Sequence, residues 1–261
     1  MIYYLYLIDE DKQTPEQKEL YNVHYLCLKH YSNVFDDMHF VFSVDDVNNV
    51  ELVKKWEEKL LKFHNRGTIT FEIHKNDEYC ESGVFKSHLI DKLNENELVF
   101  FGHGKGLTNV LKHPKDIIFS WVMGLYFYSL NFMEEMEQKL QSSKAISFGS
   151  FMTNNKYEDT TKYKWFYIGT FFWVNTKKLL SYIKTHNIEF PILSDRFYSE
   201  EFLGDVYPAW PKPYAGSHNN FYMLDTYDYY KNYNEILDIL YANHEDCDEF
   251  CEQIKKELNE L

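Results

Sequence analysis

Apolar runs of strand length alternate with helix-type patterns along the first hundred residues. The runs are bounded by polar or turn-forming residues and lie at Ile2 to Ile8, Met38 to Val44, Thr68 to His74 and Leu98 to Phe101. Between them, apolar side chains recur every three or four positions, as on one face of a helix. Thr14-Pro15-Glu16-Gln17 adds an N-cap signal before the first helix. This alternation predicts a mostly parallel sheet with helices on both faces.

The second half of the chain is less regular and richer in aromatic residues. Its pattern predicts a long helix at 117–141, a strand at 145–151, an aromatic strand at 165–174 and a helix from 176 to about 186. A mobile loop is predicted at 152–164, a short helix at 195–203, and acidic amphipathic helices from about 231 to the end. We therefore interpret residues 1–261 as a single α/β domain with a C-terminal helical extension.

The net charge of the chain limits the ligands that it can bind. The chain has 27 basic and 41 acidic residues, a formal net charge of −14. Such a surface repels nucleic acid, so none is expected as a partner, and any anionic ligand requires a local basic cluster.

Four cysteines are too few for a disulfide scaffold of this size and favour the cytoplasm. No apolar run approaches the roughly 18 residues of a transmembrane segment.

The segment ELVFFGHGKGLTN at 97–109 has glycines at 102, 104 and 106, with His103 and Lys105 between them. It follows the fourth predicted strand, and open α/β sheets bind ligands beyond the carboxyl ends of strands. In an extended chain, His103 and Lys105 share one side, and the glycines leave the other bare for close approach of a ligand. We interpret the segment as a diphosphate site. It matches neither the P-loop nor the dinucleotide spacing, so a glycine-rich turn with incidental polar residues is the alternative.

One cluster near the C-terminus invites comparison with a metal site. His244, Cys247 and Cys251 fall at helical spacing. The spacing is not that of a zinc site and a fourth ligand is missing, so a half-buried helix face is the favoured interpretation. The sequence therefore assigns no metal ligand.

Four segments occur in an order that resembles a known family. They are FFGHGKG at 100–106, followed by Trp121 and Tyr126; SFGSFM at 147–152; YIGTFFWVNTKKL at 167–179; and RFYSEEFLG at 196–204. Together they resemble small glycosyltransferases with a GT-A-like (Rossmann-like) fold, found in bacterial surface-polysaccharide clusters and large DNA viruses. The chain departs from the family pattern at Gly104 (usually Thr), Thr170 (usually Asn), Ser199 (usually Ala) and Phe202 (usually Trp).

The resemblance implies a catalytic contribution from Lys105 and His103. GT-A enzymes usually hold the donor diphosphate through a metal bound by an Asp-x-Asp motif, and His103-Gly104-Lys105 stands in that place here. On this interpretation the two side chains neutralise the leaving diphosphate without a metal, and bound Mn²⁺ or Mg²⁺ is the disfavoured alternative. The donor-binding residues implied are Gly102, Gly104, Gly106, Asp45 and Arg196. For Asp45 a helix cap is the alternative role.

The same resemblance suggests a general base and an acceptor site. Glu200 is the candidate base, with Arg196 one helical turn before it; a surface ion pair is the alternative. Thr170, Trp173 and Glu201 are the candidate acceptor-binding residues, since one face of the aromatic strand is predicted to offer a platform to a sugar ring. The departure at Thr170 weakens the match at that position.

The resemblance therefore implies a glycosyltransferase that uses a nucleotide sugar, preferably a UDP-sugar, and extends a glycan or polysaccharide. Its nucleotide-binding half is expected at about 1–110 and its acceptor-binding half at about 111–230. A non-catalytic glycan- or nucleotide-binding module with a degenerate transferase fold is the main alternative, because the Asp-x-Asp motif is absent. A nucleotide-sugar hydrolase is the second. Donor sugar, linkage and stereochemistry stay open.

Overall fold

A computed structural model describes residues 1–63, 66–77, 81–92, 98–131, 133–142, 146–149, 152–154, 165–167, 170–188, 203 and 245–261. The strands in these ranges are β1 (Ile2–Leu7), β2 (Met38–Val44), β3 (Ile69–Lys75), β4 (Leu98–His103), β5 (Ser147–Gly149), β6 (Met152–Asn154), β7 (Trp165–Tyr167) and β8 (Phe172–Asn175). The α-helices are α1 (Pro15–His30), α2 (Val50–Leu60), α3 (Glu81–Lys92), α4 (Lys115–Leu130), α5 (Met133–Ser142), α6 (Thr176–Thr185) and α7 (Glu245–Asn259).

Six strands form a mixed sheet in the order β3-β2-β1-β4-β8-β5. The first four are parallel, β8 runs antiparallel to β4, and β5 runs antiparallel to β8. The predicted α/β class and the parallel pairing of the first four strands are therefore confirmed. A separate antiparallel pair is formed by β6 and β7.

The start of α1 follows directly from its local sequence. The Thr14 side chain accepts a hydrogen bond from the backbone N–H of Gln17, and the Gln17 side chain accepts one from the backbone N–H of Thr14. This capping box satisfies two backbone donors that the first turn leaves without helical partners. With Pro15 at the first helical position, it sets where the helix begins and confirms the predicted N-cap.

The period-two alternation of the strands divides the core between the two faces of the sheet. In β1, Tyr3 and Leu5 belong to a cluster with α1, α2, α4 and α7, whereas Ile2 and Tyr4 belong to one that includes Val84 of α3. Because both faces are covered, these central strands are apolar throughout rather than alternating. Helix α4 is buried from Trp121 to Leu130, which explains its apolar pattern on all sides.

Helix α7 closes the face formed by α1 and α4. The Phe250 ring lies 5.4 Å from the Tyr31 ring and 5.8 Å from the Phe127 ring, centre to centre. Cys247 and Cys251 are each only 1% exposed and belong to the same core cluster. The interpretation of these cysteines as part of a buried helix face is confirmed, and His244 lies outside the described residues.

Three sequence predictions about the second half are wrong. The single helix predicted at 117–141 is two helices, α4 and α5, with Asn131, a weak helix former, as the C-cap of α4. The single strand predicted at 165–174 is divided into β7 and β8, which lie in different sheets. Thr170 between them has φ 48°, a left-handed conformation that cannot continue a strand. The predicted loop begins with β6, and its remainder at 155–164 lies outside the described residues.

Each helix in the described part of the chain is too short or too polar to cross a lipid bilayer. The predicted helix at 195–203 falls on residues that, apart from Leu203, lie outside the described ranges.

Candidate functional site

The candidate site lies where the strand order of the sheet changes direction. From β1 the chain moves to β2 and β3 on one side, and then to β4 on the other side of β1. In open α/β sheets, ligands bind outside the carboxyl ends of the strands at such a point. Residues 103–106 of the glycine run occupy this position, with His103 directly opposite Tyr4 of β1.

The glycine run turns instead of remaining extended. Strand β4 ends at His103, and the backbone N–H of Lys105 donates to the carbonyl of His103 at 2.7 Å, which folds the chain sharply around Gly104. The N–H of Gly104 itself donates to the carbonyl of Tyr4 at 2.8 Å. The expected strand-like alternation of His103 and Lys105 is therefore wrong beyond His103.

The space beside each glycine is filled by the protein's own side chains. A Cβ at Gly102 would lie 3.0 Å from the Tyr3 ring, and one at Gly104 would lie 2.6 Å from Leu5 Cδ1. Gly106, at φ 92°, would bring its Cβ within 2.8 Å of Ile118 Cγ2. The expectation of a bare side open to a ligand is wrong, because these glycines allow core side chains to pack against the turn. Donor contact through their backbones stays a prediction.

A buried polar network holds the turn from the side of α1. The Nε2 of His24 lies 2.8 Å from the Lys105 carbonyl, which can only accept, so Nε2 carries the proton. His24 Nδ1 then accepts from a tyrosine hydroxyl, with Tyr126 at 2.9 Å and Tyr3 at 3.1 Å. These two hydroxyls are 2.5 Å apart. Burial lowers the pKa of His24 to about 3, so the ring is neutral and the network is satisfied.

His103 forms a buried pair with Glu81, the first residue of α3. His103 Nδ1 lies 3.4 Å from Glu81 Oε1, and the two residues are 6% and 8% exposed. Burial works to raise the pKa of Glu81, but the nearby His103, and to a smaller degree Lys105, outweigh it and lower the pKa to about 2. Sequence reasoning missed Glu81. The signal for it was weak, since an acidic residue in the first turn of a helix has a sufficient local reason to be there.

The other ring nitrogen of His103 has a different environment from Nδ1. His103 Nε2 is buried and has no hydrogen-bond partner among the described residues. A buried polar atom in this state calls for an explanation, because most such atoms are paired with protein or water. Its imidazole is fixed on one side by a carboxylate, which is the arrangement that orients a histidine for chemistry at its other nitrogen.

Lys105 adds a second cationic group to the same edge. Its side chain is half-buried, and Nζ lies 5.7 Å from the centre of the Trp121 ring. That distance suits a cation–π contact, which restricts the ammonium without neutralising its charge. The turn therefore carries one anchored cationic side chain beside one buried imidazole.

Asp45 lies at the same edge of the sheet, after β2. It is exposed, and its two carboxylate oxygens accept from the Tyr6 hydroxyl at 2.8 Å and the Asn76 side-chain amide at 3.0 Å. The N-cap of α2 is Asn49, so the alternative role of Asp45 as the cap of that helix is wrong. Contact between Asp45 and a nucleotide stays a prediction.

The candidate acceptor residues have a different position from the one expected. Trp173 is 5% exposed, its indole N–H donates to the Ser129 carbonyl at 2.8 Å, and its ring stacks on Phe35. It belongs to the core, which argues against Trp173 as an acceptor platform; that role stays a prediction. Thr170 is 3% exposed, which also argues against acceptor contact. The predicted residues Arg196, Glu200 and Glu201 lie outside the described residues.

Comparisons with known proteins give no family for this chain. No model of a known protein family matches it, and no curated protein matches it.

Proposed function

We propose that this protein is a glycosyltransferase that moves a sugar from a nucleotide sugar, preferably a UDP-sugar, to a hydroxyl of a glycan or polysaccharide. The resemblance of its four sequence segments to GT-A-like transferases is the starting point. The strand order β3-β2-β1-β4, parallel throughout, supports a nucleotide-binding half, because it is the order of a dinucleotide-binding fold up to that point.

One observation supports the proposal most: the buried His103, at the carboxyl end of β4, with Nδ1 held by Glu81 and Nε2 unpaired in the described part of the chain. In its protonated form, His103 presents an Nε2–H donor that suits a phosphate oxygen. Lys105 supplies a second charge two residues later. In a chain with a net charge of −14, the Lys105 ammonium beside this imidazole is suited to attract an anionic ligand.

The proposed chemistry follows from where charge develops. As the bond between sugar and diphosphate breaks, negative charge grows on the departing diphosphate, and Lys105 and His103 stabilise it. The turn is preorganised, since His24 fixes the Lys105 carbonyl and Glu81 fixes the His103 ring. Preorganised donors of this kind require little rearrangement during the reaction. A carboxylate, for which Glu200 stays the candidate, accepts the proton of the acceptor hydroxyl in an inverting mechanism.

The test is release of nucleotide from a panel of UDP-, GDP-, TDP- and CMP-sugars, with and without glycan acceptors. Release that increases when an acceptor is added supports a transferase. Release that is independent of acceptor indicates a hydrolase, and binding without release indicates a non-catalytic module. Repeating the assay with EDTA tests whether the reaction needs a metal.

Substitution of the cationic side chain tests the mechanism. We expect Lys105→Ala to lower kcat about 10²- to 10³-fold at saturating donor, which is typical for the loss of one group that stabilises transition-state charge. Lys112→Ala is the matched control, because Lys112 is exposed and lies seven residues further along the same connection. Equal kcat for the two variants would exclude the proposed role of Lys105.

A further inference from the structure

A second cluster of ionisable side chains lies between α3 and the face of β2 and β3 that this helix covers. It consists of one carboxylate, Glu72 of β3, and three imidazoles: His39 of β2, His74 of β3 and His88 of α3. His39 Nε2 and His88 Nε2 lie 3.2 Å and 3.0 Å from the same oxygen, Glu72 Oε2. Strands and a helix, not loops, carry all four residues, so the cluster stands on a rigid base.

These distances match the spacing of ligands around a transition-metal ion. Zinc binds histidine nitrogen at about 2.0–2.1 Å, and a tetrahedral arrangement then separates neighbouring ligand atoms by about 3.3 Å. The ligand atoms of His39, Glu72 and His88 all lie within 4.8 Å of one another. Two histidines and one carboxylate are also a common donor set of zinc sites that keep a fourth position open.

Neighbouring contacts orient the ligand atoms correctly. His39 Nδ1 lies 2.8 Å from Thr70 Oγ1. In the tautomer that carries the proton on Nδ1, this nitrogen donates a hydrogen bond to the hydroxyl, and the lone pair of Nε2 is left for a metal. His74 Nε2 lies 2.6 Å from Glu72 Oε1, the other oxygen of the carboxylate. A hydrogen bond there leaves Oε2 facing His39 and His88. Contacts of this kind normally support metal ligands from behind.

Burial distinguishes the cluster from a chance surface group. The side chains of His88 and His39 are 8% and 15% exposed, whereas those of His74 and Glu72 are 36% and 38% exposed. The cluster therefore offers a divalent ion two nitrogens that are largely buried and a side that is open to solvent. A carboxylate and neutral imidazoles provide the hard and borderline donors that zinc accepts.

We propose that His39, Glu72 and His88 bind one Zn²⁺ ion, with His74 positioning the Glu72 carboxylate and the fourth coordination position taken by water. The ion links α3 to β2 and β3. His88 is seven residues, about 10.5 Å along the helix, from Glu81, so the same ion steadies the helix that carries the partner of His103. This proposal does not rest on the proposed transferase function.

The full chain, freed of metal with a chelator and dialysed, is loaded with Zn²⁺ and its metal content is measured by mass spectrometry. We expect one ion per chain, and a rise in the melting temperature with zinc. When Co²⁺ replaces zinc, we expect the visible absorption bands that are typical of a four-coordinate cobalt site. Mg²⁺ is expected to have no such effect, because the nitrogen donors do not suit it.

Variants assign the ion to this cluster. We expect His88→Gln and His39→Gln each to lose the bound zinc, and His74→Gln to retain the site with about 10- to 100-fold weaker affinity, as for other supporting residues. His186→Gln, an exposed histidine of the α6 C-terminus, is the matched control and keeps the ion. Circular dichroism identifies variants that fail to fold. If His88→Gln fails to fold, His39→Gln is the variant that tests the site.

Two results would overturn the proposal. One is a wild-type chain that takes up no zinc after dialysis. The other is zinc that persists unchanged in a folded His39→Gln or His88→Gln variant, which would place the ion elsewhere in the chain.

Discussion

Replacing Glu81 by Gln tests the buried pair on which the candidate site depends. The substitution keeps the size of the side chain and removes its charge beside His103, at a position only 8% exposed. In the wild type, the pKa of Glu81 is lowered from 4.5 to about 2. At about 1.36 kcal/mol per pKa unit, this corresponds to roughly 3 kcal/mol of the free energy of unfolding at neutral pH. We expect Glu81→Gln to lose an amount of that order.

The sign of the pH dependence follows from the direction of the shift. A carboxyl group with a lower pKa in the folded chain stabilises the fold above its unfolded pKa, and the stabilisation is lost as the pH falls toward the folded value. For Glu81 this window extends from about pH 4.5 down to about pH 2. The difference between wild type and Glu81→Gln is therefore constant near neutral pH and smaller by about 1.4 kcal/mol at about pH 3.5.

Urea denaturation at a series of pH values measures this difference. Glu51→Gln is the matched control, since Glu51 also lies in the first turn of a helix but is exposed. Its expected cost is about 0.3–1 kcal/mol, from the helix dipole alone. If Glu81→Gln behaved like Glu51→Gln, or if its cost did not change between neutral and acid pH, the pairing of Glu81 with His103 would be refuted.

Substitutions at three further positions test the turn, the network around His24 and the end of α6. Gly106→Ala is expected to lower the free energy of unfolding in urea by about 2 kcal/mol, because φ is 92° and the new Cβ meets Ile118; an unchanged value would contradict this geometry. Tyr126→Phe removes one hydroxyl from the network around His24 and is expected to cost about 1–2 kcal/mol in the same assay, whereas a neutral effect would mean that the network adds no stability. Asn187→Gly, at φ 49° after α6, is expected to raise the melting temperature with a gain of about 0.5 kcal/mol, and Asn187→Ala to lower it.

The parts of the fold that local sequence determines were predictable. Strand β2 has the predicted bounds, Met38 to Val44, because a mainly apolar run flanked by polar residues is buried as a single strand. The start of α1 depends on side chains three residues apart. The break at Thr170 was not predictable, since a β-branched residue gives no local signal for a left-handed conformation that the surrounding structure imposes.

The candidate site was predictable in position but not in its contacts. The place of His103 and Lys105 at the carboxyl end of β4 follows from strand order. What fills the space beside the glycines depends on Leu5 and Ile118, which are distant in sequence. The same holds for the cluster around Glu72, whose histidines come from separate elements and form no motif. Contacts between distant segments decide what these residues do.

The position of α7 has a consequence for synthesis on the ribosome. Its residues pack against α1, which is translated more than two hundred residues earlier, through Phe250 and Cys251 among others. Until residues 245–259 have been synthesised, α1 and α4 lack the contacts that α7 makes with them, which favours aggregation of shorter chains and makes this packing a slow step of folding. Chains that end before residue 245 should need a chaperone to remain dispersed, because they lack the helix that packs on α1 and α4.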